Sequence, residues 1–157
     1  MQLGDTIRLK GSLIAVLKNL QGQEVDRREQ HNIIVTAGRA WVLKHIVGTA
    51  VFAGNETAPL NYLAIGTSTT APATSDTTLG SEVTRKTIQN FTTSNLTSNP
   101  PSYQLECSFA TNEGNTTLGE VGLLNSSASG TLLAHATFST INKTTSNTLS
   151  ISYTISN

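Results

Sequence analysis

The chain has 157 residues, equal numbers of basic and acidic residues, and only 13% charged residues in all. Ordinary soluble domains carry about 25% charged residues, and here threonine, serine and asparagine take their place. Nucleic-acid-binding domains carry a clustered positive face, and a chain with a net charge of zero shows no sign of one, so we expect no nucleic-acid partner. The length predicts one domain, residues 1–157, that is large enough to bury a core.

The cysteine count and the N-terminal residues restrict the class of protein further. A single cysteine, Cys107, excludes an intrachain disulfide framework. The N-terminal residues lack the apolar stretch of a signal peptide, and no apolar run approaches the about 20 residues of a membrane span. We therefore expect a protein that is made in a cytoplasm and has no membrane partner.

The charge is divided unevenly along the chain. Residues 1–46 hold seven basic and four acidic residues, whereas residues 47–157 hold three basic and six acidic ones. The first part is thus net positive by three and the rest net negative by three. This asymmetry could favour head-to-tail contacts between copies, although mild asymmetry is also common by chance.

The first predicted element is an N-terminal hairpin over about residues 5–35. From Asp5 to Leu17 every second residue is small or apolar, which predicts a strand with one face on the core. Asn19–Gly22 is typical of a tight turn, and the return strand is predicted from Glu24 to Val35.

One helix is predicted, over about residues 37–47, and we expect it to pack on the hairpin and the sheets. Ala40, Leu43 and Val47 share a stripe at helical spacing, so this stripe is expected to face the core. Trp41, the sole tryptophan, is expected to anchor the helix in the core.

Two later segments lack any periodicity, Thr67–Thr78 and Thr93–Ser102. Both are too long for simple hairpin turns, so they are candidates for reaching neighbouring subunits. The candidate interface residues are Thr67, Thr70, Pro72, Thr74 and Asp76 in the first segment and Asn95, Pro100 and Pro101 in the second.

The C-terminal third returns to clear strand patterns. Leu118–Leu124 contains Gly119 and Gly122, which predict a bulge or a close backbone approach. Apolar residues alternate in Leu132–Phe138 and again in Leu149–Ile155, and the last three strands are expected to form a meander. With about eight strands, the chain is predicted to be mainly β, an antiparallel β-sandwich or jelly-roll-like barrel with one short helix.

The sequence contains few side chains that are candidates for catalysis. His31, His45 and His135 stand at no metal-ligand spacing, and no catalytic, metal or cofactor site is predicted. His135 lies between Ala134 and Ala136, on the opposite face, so we expect it to be solvated or in an interface. Cys107 alternates with polar residues and is expected to be a buried, unreactive thiol.

Three charged residues are expected to have structural roles. Glu82 and Arg85 are three residues apart on an extended chain and should face opposite sides, each with a different partner. Glu120 could accept a hydrogen bond from a turn or pair with Arg85. The pair Arg85–Glu120 is the candidate structural ion pair.

Six short motifs spread over most of the chain carry a further signal. They are NIIVTAGR (32–39), YLAIGT (62–67), DTTLGSE (76–82) with a following Arg85, GEVGLLN (119–125), GTLLA (130–134) and LSISY (149–153). In this order and spacing they resemble a group of tailed-bacteriophage virion structural proteins, of the capsid decoration (cement) or tail-associated β-sandwich type. That group carries no catalytic motif, so the resemblance implies a protein that is not an enzyme.

The resemblance implies a capsid decoration protein that binds neighbouring major capsid subunits and stabilises them. The alternative is a tail, neck or fibre-attachment component. A sugar-binding β-sandwich for host surface glycans is a third hypothesis, which exposed aromatic side chains would favour; the candidates are Phe52, Tyr62, Phe91 and Tyr103.

Partners and location follow from the same resemblance. The expected partners are the major capsid protein or other virion proteins. Self-association as a homotrimer is also expected, because a trimer suits the local three-fold positions of a shell. The protein would be made in the cytoplasm of the bacterial host and end in the virion.

Overall fold

The computed structural model describes residues 8–47, 58–98 and 100–157. Residues 5–7, where the first strand was predicted to begin, and Phe52 lie outside the described residues. Within these ranges the chain forms ten strands, one α-helix and a short 3₁₀ helix, Ser94–Thr97. The elements are β1 Lys10–Asn19, β2 Glu24–His31, β3 Ile33–Ile34, α1 Thr36–Val47, β4 Tyr62–Gly66, β5 Glu82–Thr87, β6 Asn90–Thr92, β7 Ser102–Phe109, β8 Thr117–Leu124, β9 Leu132–Asn142 and β10 Asn147–Ser156.

The described strands form two antiparallel sheets of five strands each. The first sheet has the order β2-β1-β10-β7-β6, and the second has the order β3-β9-β8-β4-β5. Apolar residues of both sheets share one core cluster, with Leu13 and Tyr153 from the first sheet and Leu63 and Val121 from the second. The predicted antiparallel β-sandwich is confirmed.

The N-terminal hairpin forms from β1 and β2, but the return strand predicted to Val35 is wrong at its end, because β3 pairs with β9 in the second sheet. Alternation was a good guide in β1. Leu13, Ala15 and Leu17 are buried on one face of β1, while the residues between them are only half-buried. β1 is an internal strand that pairs with β10 from Lys10 to Asn19 and with β2 on its other side. One dry face and one wetter face make the two-residue period visible in the sequence.

The predicted C-terminal meander is wrong in its last step. β8 and β9 pair as expected, but β10 crosses to the first sheet and lies between β1 and β7. Leu149, Ile151 and Tyr153 are buried in the core that both sheets share, so their alternation does not reveal the sheet to which β10 belongs.

The helix is confirmed, but its predicted core stripe is wrong. Ala40 and Leu43 are exposed, and α1 instead packs Trp41 and Val42 against the core cluster. Trp41 is thus partly buried, as expected of an anchor. Among the described residues, no helix is long and apolar enough to cross a bilayer.

Candidate functional site

The most distinctive local structure is the segment of residues 67–81, which connects β4 to β5 and covers the outer face of the second sheet. We call it the covering segment. Ala64 lies between Leu63 and Ile65, which face the shared core, so Ala64 faces away from it. A second apolar cluster forms on this outer face; its members are Val35, Ala64, Leu79, Leu124 and Leu132. Leu79 comes from the covering segment, which therefore packs on the sheet.

A buried carboxylate fixes the covering segment from below. Glu120 on β8 is fully buried. Its carboxylate accepts backbone N–H groups from Ser68 at 3.2 Å, Gly80 at 2.9 Å and Ser81 at 2.6 Å. A buried charge is tolerated only when such bonds replace its hydration. Glu120 therefore holds both ends of the segment on the sheet.

A histidine joins this carboxylate to the middle of the segment. The His135 Nε2 atom lies 3.0 Å from Glu120 Oε2, and its Nδ1 atom lies 2.8 Å from Asp76 Oδ2. Asp76 also accepts the N–H of Ala73 at 2.8 Å. Asp76, His135 and Glu120 form a continuous chain, which we call the acid–histidine–acid chain.

The two contacts of His135 require a proton between each nitrogen and its carboxylate. Where both carboxylates are ionised they only accept, and His135 then donates from both ring nitrogens. Burial of the Asp76 carboxyl opposes its ionisation, but bonds from Ala73 and His135 and the histidine's charge outweigh burial, and they lower the pKa of Asp76.

The two glycines of β8 allow the segment to lie close to the strand. A Cβ atom at Gly119 would come within 2.9 Å of the Ser68 backbone oxygen. A Cβ atom at Gly122 would come within 2.5 Å of a Leu79 methyl carbon. The predicted close backbone approach is confirmed at Gly119, where the strand register also shifts, because a side chain there would push the covering segment away. At Gly122 the close atoms belong to the ends of flexible leucine side chains.

Two predictions about this site are wrong. His135 was expected to be solvated or in an interface, yet it is buried under the covering segment. The predicted pair Arg85–Glu120 does not form, since Glu120 is bonded to His135 and to backbone N–H groups. The other alternative for Glu120, a hydrogen bond from a turn, is confirmed.

Arg85 pairs with Glu82 instead. Its Nε and Nη2 atoms lie 2.6 Å from the two Glu82 carboxylate oxygens, and its Nη1 atom donates to the carbonyls of Ser126 and Ser129. These two side chains were expected on opposite faces. The register of β5 against β4 shifts at Val83, and this bulge places both on one side of the strand.

The candidate interface residues of the first segment are part of the covering segment. The Thr67 N–H donates to the Ser81 carbonyl at 2.9 Å, and the Thr74 carbonyl accepts the Thr36 N–H of α1 at 2.8 Å. Thr70 and Thr74 are exposed, whereas Thr67, Pro72 and Asp76 are half-buried. The backbone is thus held at many points, while hydroxyl side chains face outward.

The candidate residues of the second segment lie elsewhere, between β6 and β7 of the first sheet. Asn95, Pro100 and Pro101 are exposed. The Asn95 carbonyl accepts the Ser98 N–H, and the Pro101 carbonyl accepts the N–H of Asn157 at 3.3 Å. Within the described ranges no hydrogen bond joins this loop to the covering segment, so the structure does not bring the two candidate loops together.

The thiol has the environment that was predicted for it. Cys107 is buried in the shared core, and burial raises its pKa to about 11. Its Sγ atom lies 3.7 Å from the Thr87 carbonyl oxygen. The thiolate, which is the reactive form, is therefore strongly disfavoured near neutral pH.

The covering segment and His135 also surround a cavity of about 360 Å³. Its lining is rich in hydroxyl groups, from Ser68, Thr70, Ser75, Thr77 and Thr78. Both nitrogens of His135 are engaged by carboxylates, which leaves neither to activate one of these hydroxyls. In the part of the chain that the structure describes, no group of three His, Cys, Asp or Glu side chains has a geometry that would hold a metal ion.

No family model, no curated protein and no solved structure matches this chain. The resemblance of the six motifs to virion proteins therefore depends on the sequence alone, and the function is argued below as a proposal.

Proposed function

We propose that this protein is a non-enzymatic structural component of a tailed-phage virion, a capsid decoration protein that binds and stabilises neighbouring major capsid subunits. The observation that carries the proposal is the covering segment. It combines a backbone fixed by buried charge with an outward surface of small hydroxyl side chains. The motifs at its two ends, YLAIGT (62–67) and DTTLGSE (76–82), are also part of the resemblance to virion proteins.

A fixed loop suits a protein that must hold a shell together. Binding through a mobile loop loses free energy when the loop becomes ordered, whereas a preordered loop avoids that loss. Glu120 and Asp76 provide this order from within the domain. The exposed hydroxyls of Thr70 and Thr74 suit a wet interface, because bridging waters can satisfy them.

A tail, neck or fibre-attachment component is the alternative within the same class. The same surface would serve it, and the number of copies in a particle separates the two roles. The sugar-binding hypothesis gains less support, since Tyr62 and Tyr103 are partly buried and only Phe91 of its described candidates is exposed.

Copy number is the first test. Particles would be purified from a lysate of the strain that encodes the chain, and the protein compared with the major capsid protein by gel densitometry. About one copy per capsid subunit, or about one per three, supports decoration at local symmetry positions. A few copies per particle support the tail or neck role, and absence from particles contradicts the proposal.

A pair of matched variants tests the surface itself. Thr70→Arg places a large cation on the covering segment, and Thr145→Arg makes the same change in the exposed turn between β9 and β10. We expect Thr70→Arg to reduce incorporation into particles and Thr145→Arg to leave it unchanged. Equal incorporation of both variants would show that the covering segment does not contact the shell.

A further inference from the structure

A groove at one end of the sandwich is lined by apolar and basic side chains. It has a volume of about 580 Å³, and its lining consists of Leu9, Val42, Leu43 and Ile46 with the cations Arg8, Lys10 and Arg39. Among the residues that the structure describes, no carboxylate contributes to this lining, and none of the three cations has an ion-pair partner. We call it the basic groove.

The groove favours a particular kind of occupant. Leu43 is 63% exposed and Ile46 is 68% exposed, so both offer apolar area that a partner would remove from water. The unpaired cations favour a carboxylate beside that apolar area. The occupant that fits this lining is therefore a protein surface that carries large apolar side chains beside a carboxylate.

The chain itself exposes such an edge. β6 is the outermost strand of the first sheet, Phe91 on it is 51% exposed, and Leu96 just beyond it is 52% exposed. Glu106 on β7 lies opposite Asn90 of β6. We call Phe91, Leu96 and Glu106 the edge patch. Phe91 lies opposite the core-facing Leu105, so Glu106, one strand in from the edge, faces the other side of the sheet. A neighbour contacts both only if it encloses the edge strand from both faces.

Glu106 is distinctive among the acidic residues of the C-terminal part. In the described residues 58–157 every other acidic side chain has a basic partner: Glu82 has Arg85, Glu113 has Lys86, and Asp76 and Glu120 have His135. Glu106 has only a long bond from the Gln104 amide, at 3.4 Å. Glu106, in the edge patch, is therefore the one described acidic side chain in this range without a basic partner in its own copy.

The loop that carries Leu96 lies at the same end of the molecule as the groove, whereas Glu106 is level with Ile14 in the middle of β1. Lys10 pairs with Ser156 at the end of β10, and the Arg8 N–H donates to the side chain of Asn157 at 3.0 Å. The N–H of Asn157 in turn donates to Pro101, which follows the 3₁₀ helix. β6 is three strands from β1, about 14 Å across the sheet. One copy therefore does not fill its own groove, but a neighbour beside it can.

We propose that the edge patch of one copy seats in the basic groove of the next, so that the protein assembles head to tail. Phe91 and Leu96 pack among Leu43 and Ile46, and Glu106 meets the groove cations. Such contacts between unlike surfaces close into a ring when the rotation per copy allows it. This inference goes beyond the proposed virion role, because it concerns contacts between copies and holds for each function considered above.

Matched apolar variants provide the first test. The association constant would be measured by sedimentation equilibrium at low salt, with thermal unfolding as a check on folding. Leu43→Ser in the groove and Phe91→Ser in the patch should each weaken association about tenfold or more. Leu20→Ser is the control, since Leu20 is 67% exposed but lies in the turn between β1 and β2.

Charge reversal tests the direct contact. Lys10→Glu and Glu106→Lys should each weaken association, and the double variant should recover much of it, since the pair is then restored with opposite signs. Lys18→Glu, at the other end of β1, is the matched control. A mixture of Leu43→Ser and Phe91→Ser should form dimers and nothing larger, because each dimer retains a single intact contact.

Four results would overturn the proposal. The wild-type protein would remain monomeric at every concentration, or Leu20→Ser would weaken association as much as Leu43→Ser. Alternatively, variants of the groove would weaken association while variants of the edge patch left it unchanged, which would assign the groove another occupant. Vesicles of anionic lipid would bind the wild type but not Leu43→Ser, which would assign the groove to a lipid surface. Copy number in particles is measured separately, so failure here is distinguishable from failure of the virion role.

Discussion

Glu120 and His135 are diagonal neighbours on β8 and β9, since Glu120 lies opposite Thr137 and His135 lies opposite Gly122. The Glu120 Oε2 atom is 3.0 Å from His135 Nε2, and both side chains are buried. Diagonal cross-strand neighbours on one face of a sheet can contact each other directly. Here the contact lies under a loop instead of in solvent, and the further bonds of both side chains connect the sheet to the covering segment.

The first prediction concerns the loss of this buried charge. Glu120→Gln keeps the shape but brings an amide group toward backbone N–H groups that need an acceptor, and it leaves His135 with Asp76 as its one remaining carboxylate partner. Breaking a buried pair typically costs about 3–5 kcal/mol of unfolding free energy. Urea denaturation monitored by circular dichroism measures this loss.

Glu24→Gln is the control for that measurement. Glu24 lies on the exposed edge strand β2, where its carboxylate is 3.3 Å from Arg27. Surface pairs contribute little to stability, so little change is expected. Equal losses in the two variants would contradict the role assigned to Glu120.

The second prediction is a dependence of stability on acid. The pKa of Asp76 in the folded protein is lowered, so its ionised form stabilises the fold above the unfolded pKa, and this contribution is lost as the pH falls through the folded value. The pKa of Glu113 is also lowered, first by its bond from Lys86 and then by the N–H of Ala110. The free energy of unfolding should therefore fall as the pH is lowered below about 4.

Asp76→Asn tests which group is responsible. At neutral pH the variant should be less stable than the wild type, and the difference should shrink as the medium becomes acidic, because the wild type then loses the same charge. Urea titrations at neutral and acidic pH measure the difference. A gap between the two proteins that stays constant across this range would mean that the Asp76 charge does not contribute.

The sequence was informative where one side of a strand meets the core and the other does not. Leu13, Ala15 and Leu17 fulfil that condition, and so does Cys107 between polar neighbours. The same rule failed at His135, because the covering segment buries the face that alternation predicted to be wet. A signal for it was present in Gly119, since a glycine that needs a close backbone approach implies that something covers that face.

Two other failures have local causes. Glu82 and Arg85 were placed on opposite faces by a strict two-residue period, which the bulge at Val83 interrupts. A bulge depends on the partner strand, so the residues of β5 alone do not reveal it. The sequence also did not reveal to which sheet β10 belongs. Both sheets turn an apolar face toward the shared core, so a strand of either sheet shows the same alternation.

The third prediction compares two arginines. The side chain of Arg85 is 15% exposed and holds Glu82 with two bonds as well as the turn of residues 126–129 with two more. Arg85→Gln should cost about 2 kcal/mol, since bonds to charged groups contribute about 1.5–3 kcal/mol each and glutamine retains part of the set. Arg27 forms its pairs on the exposed strand β2, so Arg27→Gln should cost much less. Equal shifts of the urea midpoint would contradict the structural role of Arg85.

The fourth prediction uses Cys107 as a probe of the core. Because burial raises the pKa of its thiol to about 11, a disulfide reagent at pH 8 should modify the native protein very slowly. Modification should become fast in urea, where the thiol is exposed and its pKa returns to about 8.5.

Since Cys107 lies on β7, between β10 and β6, reaction requires the first sheet to open. Glu120→Gln should therefore accelerate labelling only as far as it lowers the global free energy of unfolding. Rapid labelling of the wild type without urea would show that the core at β7 is open to solvent.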